Sequence, residues 1–418
     1  MERPMTAQRA RPGPLAGLKV VDLTHVMAGP TCTLMLADMG AEVIKIEKVP
    51  GGDDTRRSVP PKIGDEAASF LMMNRNKRGM ALDLKTEGGK AILRRLIASA
   101  DVLVENFAPG SLERLGFGYE DLRKEHPALI YCSLSGFGRT GPYRNRRGFD
   151  LVAQAMSGIM SFTGTGPDDP PLKSGAPLSD ITAGILAAMG IVAAYVHRLR
   201  TGQGQWVETS LFEAALVQTY WQSAIALATG KAPRAMGSAH PLNAPYQAFE
   251  AEDGWIVVGG ANQTNWLRVL EAIGAPELAD DPRFKDNPAR MAHLPELEAE
   301  LAAHFRTKPS QYWLDLLDEK GVPCGPVYDM LEALADPQTA AREMVVEVEH
   351  TTLGPVRTLG LPVKFSQTPG KVQTGAPVYG EHTREILAEA GFSRDEIAAF
   401  EREGAVIAAS PAISEKVA

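Results

Sequence analysis

The sequence predicts an α/β protein. A large doubly wound domain with a parallel sheet is built from both chain ends (1–228 and 331–418), and a smaller α+β domain lies between them (229–330). Three observations carry this expectation. Short apolar runs alternate with helical stretches from Leu18 to Leu211, that rhythm then changes, and strand and helix patterns resume after residue 330.

Leu18–Leu23 (LKVVDL) reads as the first strand, and Pro30–Met39 as a helix with proline near its start and Gly40 at its stop. Glu42–Glu47 alternates as a second strand. Met80–Leu84, Val102–Glu105 and Ala128–Ser133 add strands, with a helix over Lys90–Ala100. This order implies parallel βαβ units. No G-x-G-x-x-G follows the first strand, so a nicotinamide or flavin site has little support.

Ala183–Val196 is an unbroken apolar run, too short to cross a bilayer and suited to a buried helix. Gly184 and Gly190 lower helix propensity, so they are expected where a neighbouring backbone comes close. Arg198 and Arg200 suit the negative helix end, and Gly202 is its stop. Ser179 and Asp180 stand where an N-cap belongs, and Asp is a preferred cap. A helix N-terminus also keeps a buried carboxylate ionised, as a nucleophile must be. Asp180 is therefore a cap, a nucleophile or both, and spacing leaves this open.

Phe212–Leu227 reads as a helix and Thr229–Ala244, rich in Gly, Pro and Ala, as a linker. Tyr246–Glu250 and Gly254–Val258 resemble a hairpin. Helices are expected over Asn265–Ile273, Ala289–Phe305 and Pro309–Glu319, and strands over Met344–Glu349 and Val356–Phe365. His382–Phe400 reads as helical with a break at Gly391. Residues 1–17 read as a loose tail rather than a signal peptide, and Ser410–Ala418 as a disordered tail.

With 418 residues, 44% of them hydrophobic, the chain can bury two domain cores. A net charge of −8 argues against general nucleic-acid or acidic-membrane binding, so an anionic ligand needs a local basic cluster. Cys32, Cys132 and Cys324 lie far apart without metal-ligand spacing, which fits a reducing cytoplasm.

Asn74–Arg78 (NRNKR) reads as a phosphate site or as a charged turn. In an open α/β sheet, ligands bind beyond the C-terminal strand ends, which makes His25, Asn106 and Phe107 candidates by topology. The loop at Gly259-Gly260 offers free N–H groups for an oxyanion or carboxylate, or is only a turn. Arg56 suits a substrate carboxylate or is an exposed loop charge. No Ser-His-Asp arrangement and no H-E-x-x-H motif is evident.

Several segments together resemble the class III coenzyme A transferases, the family of formyl-CoA transferase and the carnitine CoA-transferases. These are VVDLTHVMAGP with LADMGAEVIKIE and GGDDTR, then NRNKRGMALDLKTEGG with DVLVENFAPGSLERLG, then GAPLSDITAG with RLRTGQGQWVETSLFEA. APYQAF, Cys324–Val327 (CGPV) and Gly360–Thr368 (GLPVKFSQT) extend the likeness over most of the chain. The resemblance implies that Asp180 is the catalytic nucleophile, forming an aspartyl–acyl anhydride and then an aspartyl-CoA thioester. It also implies that coenzyme A, bound as a substrate and not as a resident cofactor, contacts His25, Val26, Lys48, Leu82, Lys85, Asn106, Phe107, Ser111, Arg114 and Arg147. No metal is implied. It further implies a Rossmann-like large domain and an interlocked homodimer acting on acyl-CoA and small carboxylic acids.

Two departures bear on the substrate. Formyl-CoA transferase has glutamine where this chain has Met27, and a longer glycine-rich loop where this chain has Gly259–Asn262. These turn the expectation from formyl-CoA/oxalate exchange toward a succinyl-type or other short dicarboxylic acyl group. Met27, Arg56, Gly259 and Gly260 are the candidate substrate contacts. The alternatives are an α-methylacyl-CoA racemase or related isomerase and a catalytically silent CoA-binding protein. Racemisation is disfavoured because Phe149 in Gly148-Phe149-Asp150, where the racemase carries histidine, cannot exchange a proton.

Overall fold

Strand β1 (Lys19–Asp22) buries three of its four residues and forms the centre of a seven-stranded sheet. A computed structural model describes residues 12–409; residues 1–11 of the expected N-terminal tail and Ser410–Ala418 lie outside the described residues. Residues 12–17 are not loose: Leu15 is buried and its N–H donates to the Met39 carbonyl at 2.9 Å.

The chain divides into two compact units. The larger takes residues up to 157, 175–218 and 337 onward; the smaller takes 158–174 and 219–336. In the larger unit, β1 is followed by helix α1 (Ala28–Asp38), β2 (Glu42–Lys48) and β3 (Arg78–Leu82). Helix α2 (Glu87–Ala98), β4 (Val102–Glu105), helix α3 (Ser111–Arg114) and β5 (Ile130–Ser135) come next. Helix α4 (Asp150–Met156), helix α5 (Leu178–Thr201), β6 (Trp206–Ser210) and helix α6 (Leu211–Val217) follow. Strands β1 to β6 run parallel in the order β3-β2-β1-β4-β5-β6. This is the doubly wound order, with its switch point between β1 and β4. The alternation of apolar runs is legible because strands covered on both faces are mostly apolar: β3 and β4 are buried at every residue, with one charged residue each, Arg78 and Glu105, at a strand end.

The smaller unit has its own sheet, in which β7 (Tyr246–Glu250) and β8 (Trp255–Gly259) form the expected antiparallel hairpin. A third strand, β9 (Cys324–Pro326), joins β8 and was not expected. Trp266, Phe284, Leu301 and Phe305 fill the core beneath. The helix expected over Ala289–Phe305 is two, Asn287–Ala292 and Leu294–Phe305, because Pro295 lacks the N–H needed to continue a helix and instead suits a first turn. In the larger unit, β10 (Val345–His350) pairs with β11 (Gly354–Leu359). Finally β12 (Val406–Ile407) lies antiparallel against β3 at the sheet edge, a pairing with no signal in so short a run.

The first expected boundary, at 228/229, falls late. Helix Phe212–Leu227 divides at Gln218–Thr219, where α6 buries Leu211, Ala214 and Ala215, whereas Tyr220–Thr229 buries nothing.

Helix α5 has 24 residues, longer than the apolar run within it. By length and composition it could cross a membrane, so it is not too short to span a bilayer. Nor is it buried all round. One face, with Ser179, Ala183, Gly184, Ala187, Ala188, Ile191 and Ala194, packs inward, while Ile185, Met189 and Leu199 lie outside. Small residues let α1 approach: a Cβ on Gly184 would stand 2.6 Å from the Ala28 carbonyl oxygen. Gly184→Val is expected to cost about 1–3 kcal/mol through overpacking, read as a lowered melting temperature.

Candidate active site

Asp22 ends β1, and its fully buried carboxylate organises the turn that follows. It accepts from the Thr24 N–H at 2.9 Å, the Thr24 hydroxyl at 2.5 Å and the Thr33 hydroxyl at 2.6 Å. Lys77, also buried, stands 3.2 Å from Asp22 and donates to the Pro30 carbonyl at 3.0 Å. Buried Lys45 donates to the Thr24 carbonyl at 2.7 Å and pairs with Asp53 at 2.8 Å. Burial alone would push these carboxyls up, but the lysines prevail: Asp22 lies below its usual range through Lys77 and Lys45, and Asp53 well below through Lys45. Burial brings Lys77 down to about 8, Asp22 opposing.

Two cavities open at the switch point. One, of about 350 Å³, is lined by residues including Leu23, Ile46, Lys48, Leu82, Lys85 and Leu115. The other, of about 260 Å³, is lined by residues including Val26, Met27, Ala28, Asn106, Phe149 and Asp180. His25 and Phe107 line both, their rings edge to face at 6.0 Å. Burial, then the nearby Lys45 charge, lowers the His25 pKa, so the imidazole is neutral at pH 7.

Asp180 is the third residue of α5, not its cap. Pro177 occupies the cap position, and the Ser179 N–H is satisfied by the Asp150 carboxylate at 2.9 Å. Asp150, first residue of α4, also accepts from Gln154 at 2.7 Å. Burial and then the Asp150 charge raise its pKa to about 6, above the ordinary carboxylate range, and leave it mainly ionised at pH 7. The site thus holds a desolvated carboxylate, half ionised near pH 6 and a stronger nucleophile than an ordinary one.

The structure brings together Asp180, His25, Val26, Met27, Asn106 and Phe107 around one cavity, and His25, Lys48, Leu82, Lys85 and Phe107 around its neighbour. Ser111 and Arg114 sit on α3, just before the lining residue Leu115. Arg147 is exposed, next to the lining residue Gly148. Three readings are corrected. Arg56 is not an exposed loop charge; it is tied to Glu47 at 2.7 Å and Glu66 at 3.1 Å and lies over the Phe70 ring at 3.6 Å, so it is spent internally. The NRNKR run is neither a phosphate site nor a solvated turn. All five residues are buried, with Arg75 on Asp38 at 2.6 Å and Arg78 on Glu389 at 2.7 Å. Gly259 has no free N–H, since it donates to the Pro323 carbonyl at 2.7 Å, and a Cβ on Gly260 would meet Pro245 at 2.7 Å. That pair belongs to the smaller unit and is tightly packed there.

Asp150, Asp53 and Lys45 were missed. Asp150 lies in Gly148-Phe149-Asp150, beside the phenylalanine that stands where the racemase carries histidine. A single acid four residues before Gln154 signals nothing about a helix 28 residues downstream until the fold joins them.

A family model for CoA-transferase family III matches residues 15–383. The acetyl-CoA:oxalate CoA-transferase of Acetobacter aceti is 45% identical, the match covering 85% of this chain and 90% of that protein. The human (Homo sapiens) succinyl-CoA:glutarate CoA-transferase is 39% identical, covering 90% and 86%. A crystal structure of a CaiB/BaiF family protein from Brucella suis is 40% identical with a TM-score of 0.81, covering 91% of this chain and all of that one.

Two pH dependences follow from Asp180. With nucleophilic carboxylate required, kcat/KM should rise with pH to a plateau, with its midpoint near 6. Asp150→Asn, by removing the like charge, should move that midpoint down toward the ordinary carboxylate range. For stability the sign is reversed, because raising the pKa on folding disfavours the charged folded state. Asp180→Asn should therefore raise the melting temperature above pH 6, with the gain vanishing below about pH 4, where folded and unfolded carboxyls are both protonated.

Proposed function

The chain belongs to CoA-transferase family III, and we propose that this enzyme moves coenzyme A between short carboxylic acids through covalent intermediates on Asp180. The observation that carries the reading is a desolvated carboxylate in a partly apolar cavity that shares His25 and Phe107 with a second, lysine-edged cavity. A thioester reaching past those two rings would present its carbonyl to Asp180, with the nucleotide end of coenzyme A toward Lys48 and Lys85.

The Asp180 carboxylate attacks the thioester carbonyl, forming the aspartyl–acyl anhydride and releasing CoA thiolate. The thiolate attacks the aspartyl carbonyl, giving aspartyl-CoA thioester and freeing the donor acid. The acceptor carboxylate displaces the thiolate to form a second anhydride. The thiolate then attacks the new acyl carbonyl, regenerating Asp180. Each step exchanges one acyl bond for another, so the cycle needs neither hydrolysis nor an external base.

Within the larger unit the apolar part of the Asp180 cavity wall is Val26, Met27, Phe107, Leu134, Phe149 and Leu211, beside the polar His25, Asn106 and Ser135, which favours a short acyl chain. The names of the relatives, with succinyl, glutarate and oxalate among their substrates, support succinyl-CoA as donor and a short dicarboxylate as acceptor. Phe149 at the cavity wall weighs against racemisation, since it offers no second acid–base group.

The proposal includes an interlocked homodimer in the cytoplasm. The apolar helix Tyr220–Thr229, with no buried residue, supports a covered face, and three unpaired cysteines support a reducing compartment.

Acetyl- and succinyl-CoA should be incubated with oxalate, succinate, glutarate and monocarboxylate acceptors, and the CoA products read by mass spectrometry. Transfer to dicarboxylates, and loss of at least about a thousandfold in Asp180→Ala and Asp180→Asn, is expected. Hydroxylamine with donor acyl-CoA should place a mass change on Asp180. Turnover surviving both substitutions would sink the covalent route.

A further inference from the structure

Val26 has φ +69°, a left-handed conformation that a β-branched residue avoids. Packing does not force it there, because Val26 is 43% exposed on the cavity wall. Side chains instead grip the backbone around it. Five consecutive backbone groups are held: the Thr24 N–H by Asp22 at 2.9 Å, the Thr24 carbonyl by Lys45 at 2.7 Å, the His25 N–H and carbonyl by Asn106 at 3.0 and 2.8 Å, and the Val26 N–H by Asp53 at 3.2 Å. Asp53 is itself fixed, buried against Lys45 at 2.8 Å and accepting from the Thr55 hydroxyl at 2.8 Å.

We propose that Asn106 and Asp53 are positioning residues that force Val26 into its left-handed conformation, and so set the wall of the Asp180 cavity for acyl transfer. A strained residue persists only where its surroundings over-determine it, and such residues concentrate at active sites. Here the strain turns the chain sharply between His25, which lines both cavities, and Met27, which immediately precedes α1. Releasing the grip lets Val26 relax to negative φ, moving His25 and Met27 relative to Asp180 on the separate helix α5. Misplacement of that kind costs rate out of proportion to the bond lost.

The inference rests on the transfer reaction proposed above, and its test separates backbone conformation from side-chain contact. Asn106→Ala is expected to lower kcat by at least about tenfold. Adding Val26→Gly, which accepts positive φ freely, should recover at least about threefold; adding Val26→Ala, which also removes the valine but remains restricted, should recover none. In the ligand-free full chain, hydrogen exchange of a peptide spanning residues 23–28 should be faster in Asn106→Ala than in the unaltered protein. Equal recovery by Gly and Ala, no recovery by Gly, kcat within about twofold in Asn106→Ala, or unchanged exchange would each overturn the lock. If the unaltered enzyme transfers CoA to no acceptor, the substrate reading fails while exchange still decides whether Asn106 holds the turn.

Discussion

Two lysines, Lys45 and Lys77, lie wholly inside the larger unit, and the region around the switch point is arranged to make that tolerable. An ammonium removed from water needs carboxylates and carbonyls on several sides. Asp22, Asp53, the Thr24 and Pro30 carbonyls and the Asn74 side chain supply them. Removing one partner of such a buried pair typically costs about 3–5 kcal/mol, because the other charge is left stranded. Replacing all of it with apolar residues would cost less, so the network is poor evidence for stability. It does connect β1, β2, the turn after β1 and the segment before β3 by directional bonds, where apolar contacts would fix no orientation.

The carboxylate proposed to react is built on the opposite principle. Among the described residues no cation offsets the charge of Asp180; burial and Asp150 both disfavour it. A paired carboxylate such as Asp53 is quiet because its charge is already stabilised, whereas Asp180 keeps the free energy that an electrophilic carbonyl can relieve. Asp150 serves twice, satisfying the Ser179 N–H and opposing the charge on Asp180. The site therefore carries a stability cost at neutral pH, as functional sites commonly do.

Where the sequence was legible, a local physical rule was enough. Buried strands showed as apolar runs, Gly202 marked the end of α5 with φ +75°, and Gly184 marked a close backbone approach. Strand ends at a doubly wound switch point brought His25, Asn106 and Phe107 into view. Failures came where partners are remote. Arg75, Lys77 and Arg78 look like a basic surface until Asp38, Asp22 and Glu389 are placed against them, the last more than three hundred residues away. Asp180 as a cap failed for the same reason, since Asp150 reaches the helix end first. Its chemistry was raised above the capping reading by family resemblance, not by spacing.

The short strand β12 has a consequence for how the chain is made. Its partner β3 ends at Leu82, and β12 begins only at Val406, roughly 320 residues later. At typical synthesis rates of about 5–20 residues per second, the outer edge of β3 waits on the order of twenty seconds to a minute for its last neighbour. Throughout that interval β3 presents unpaired backbone groups of the kind on which other nascent chains nucleate. Synthesis is then a stage at which that edge is open to aggregation. Shortening the chain just before Val406 would leave the Ala81–Leu82 end of that edge without its strand partner, while Gly79 would keep its bonds to His382.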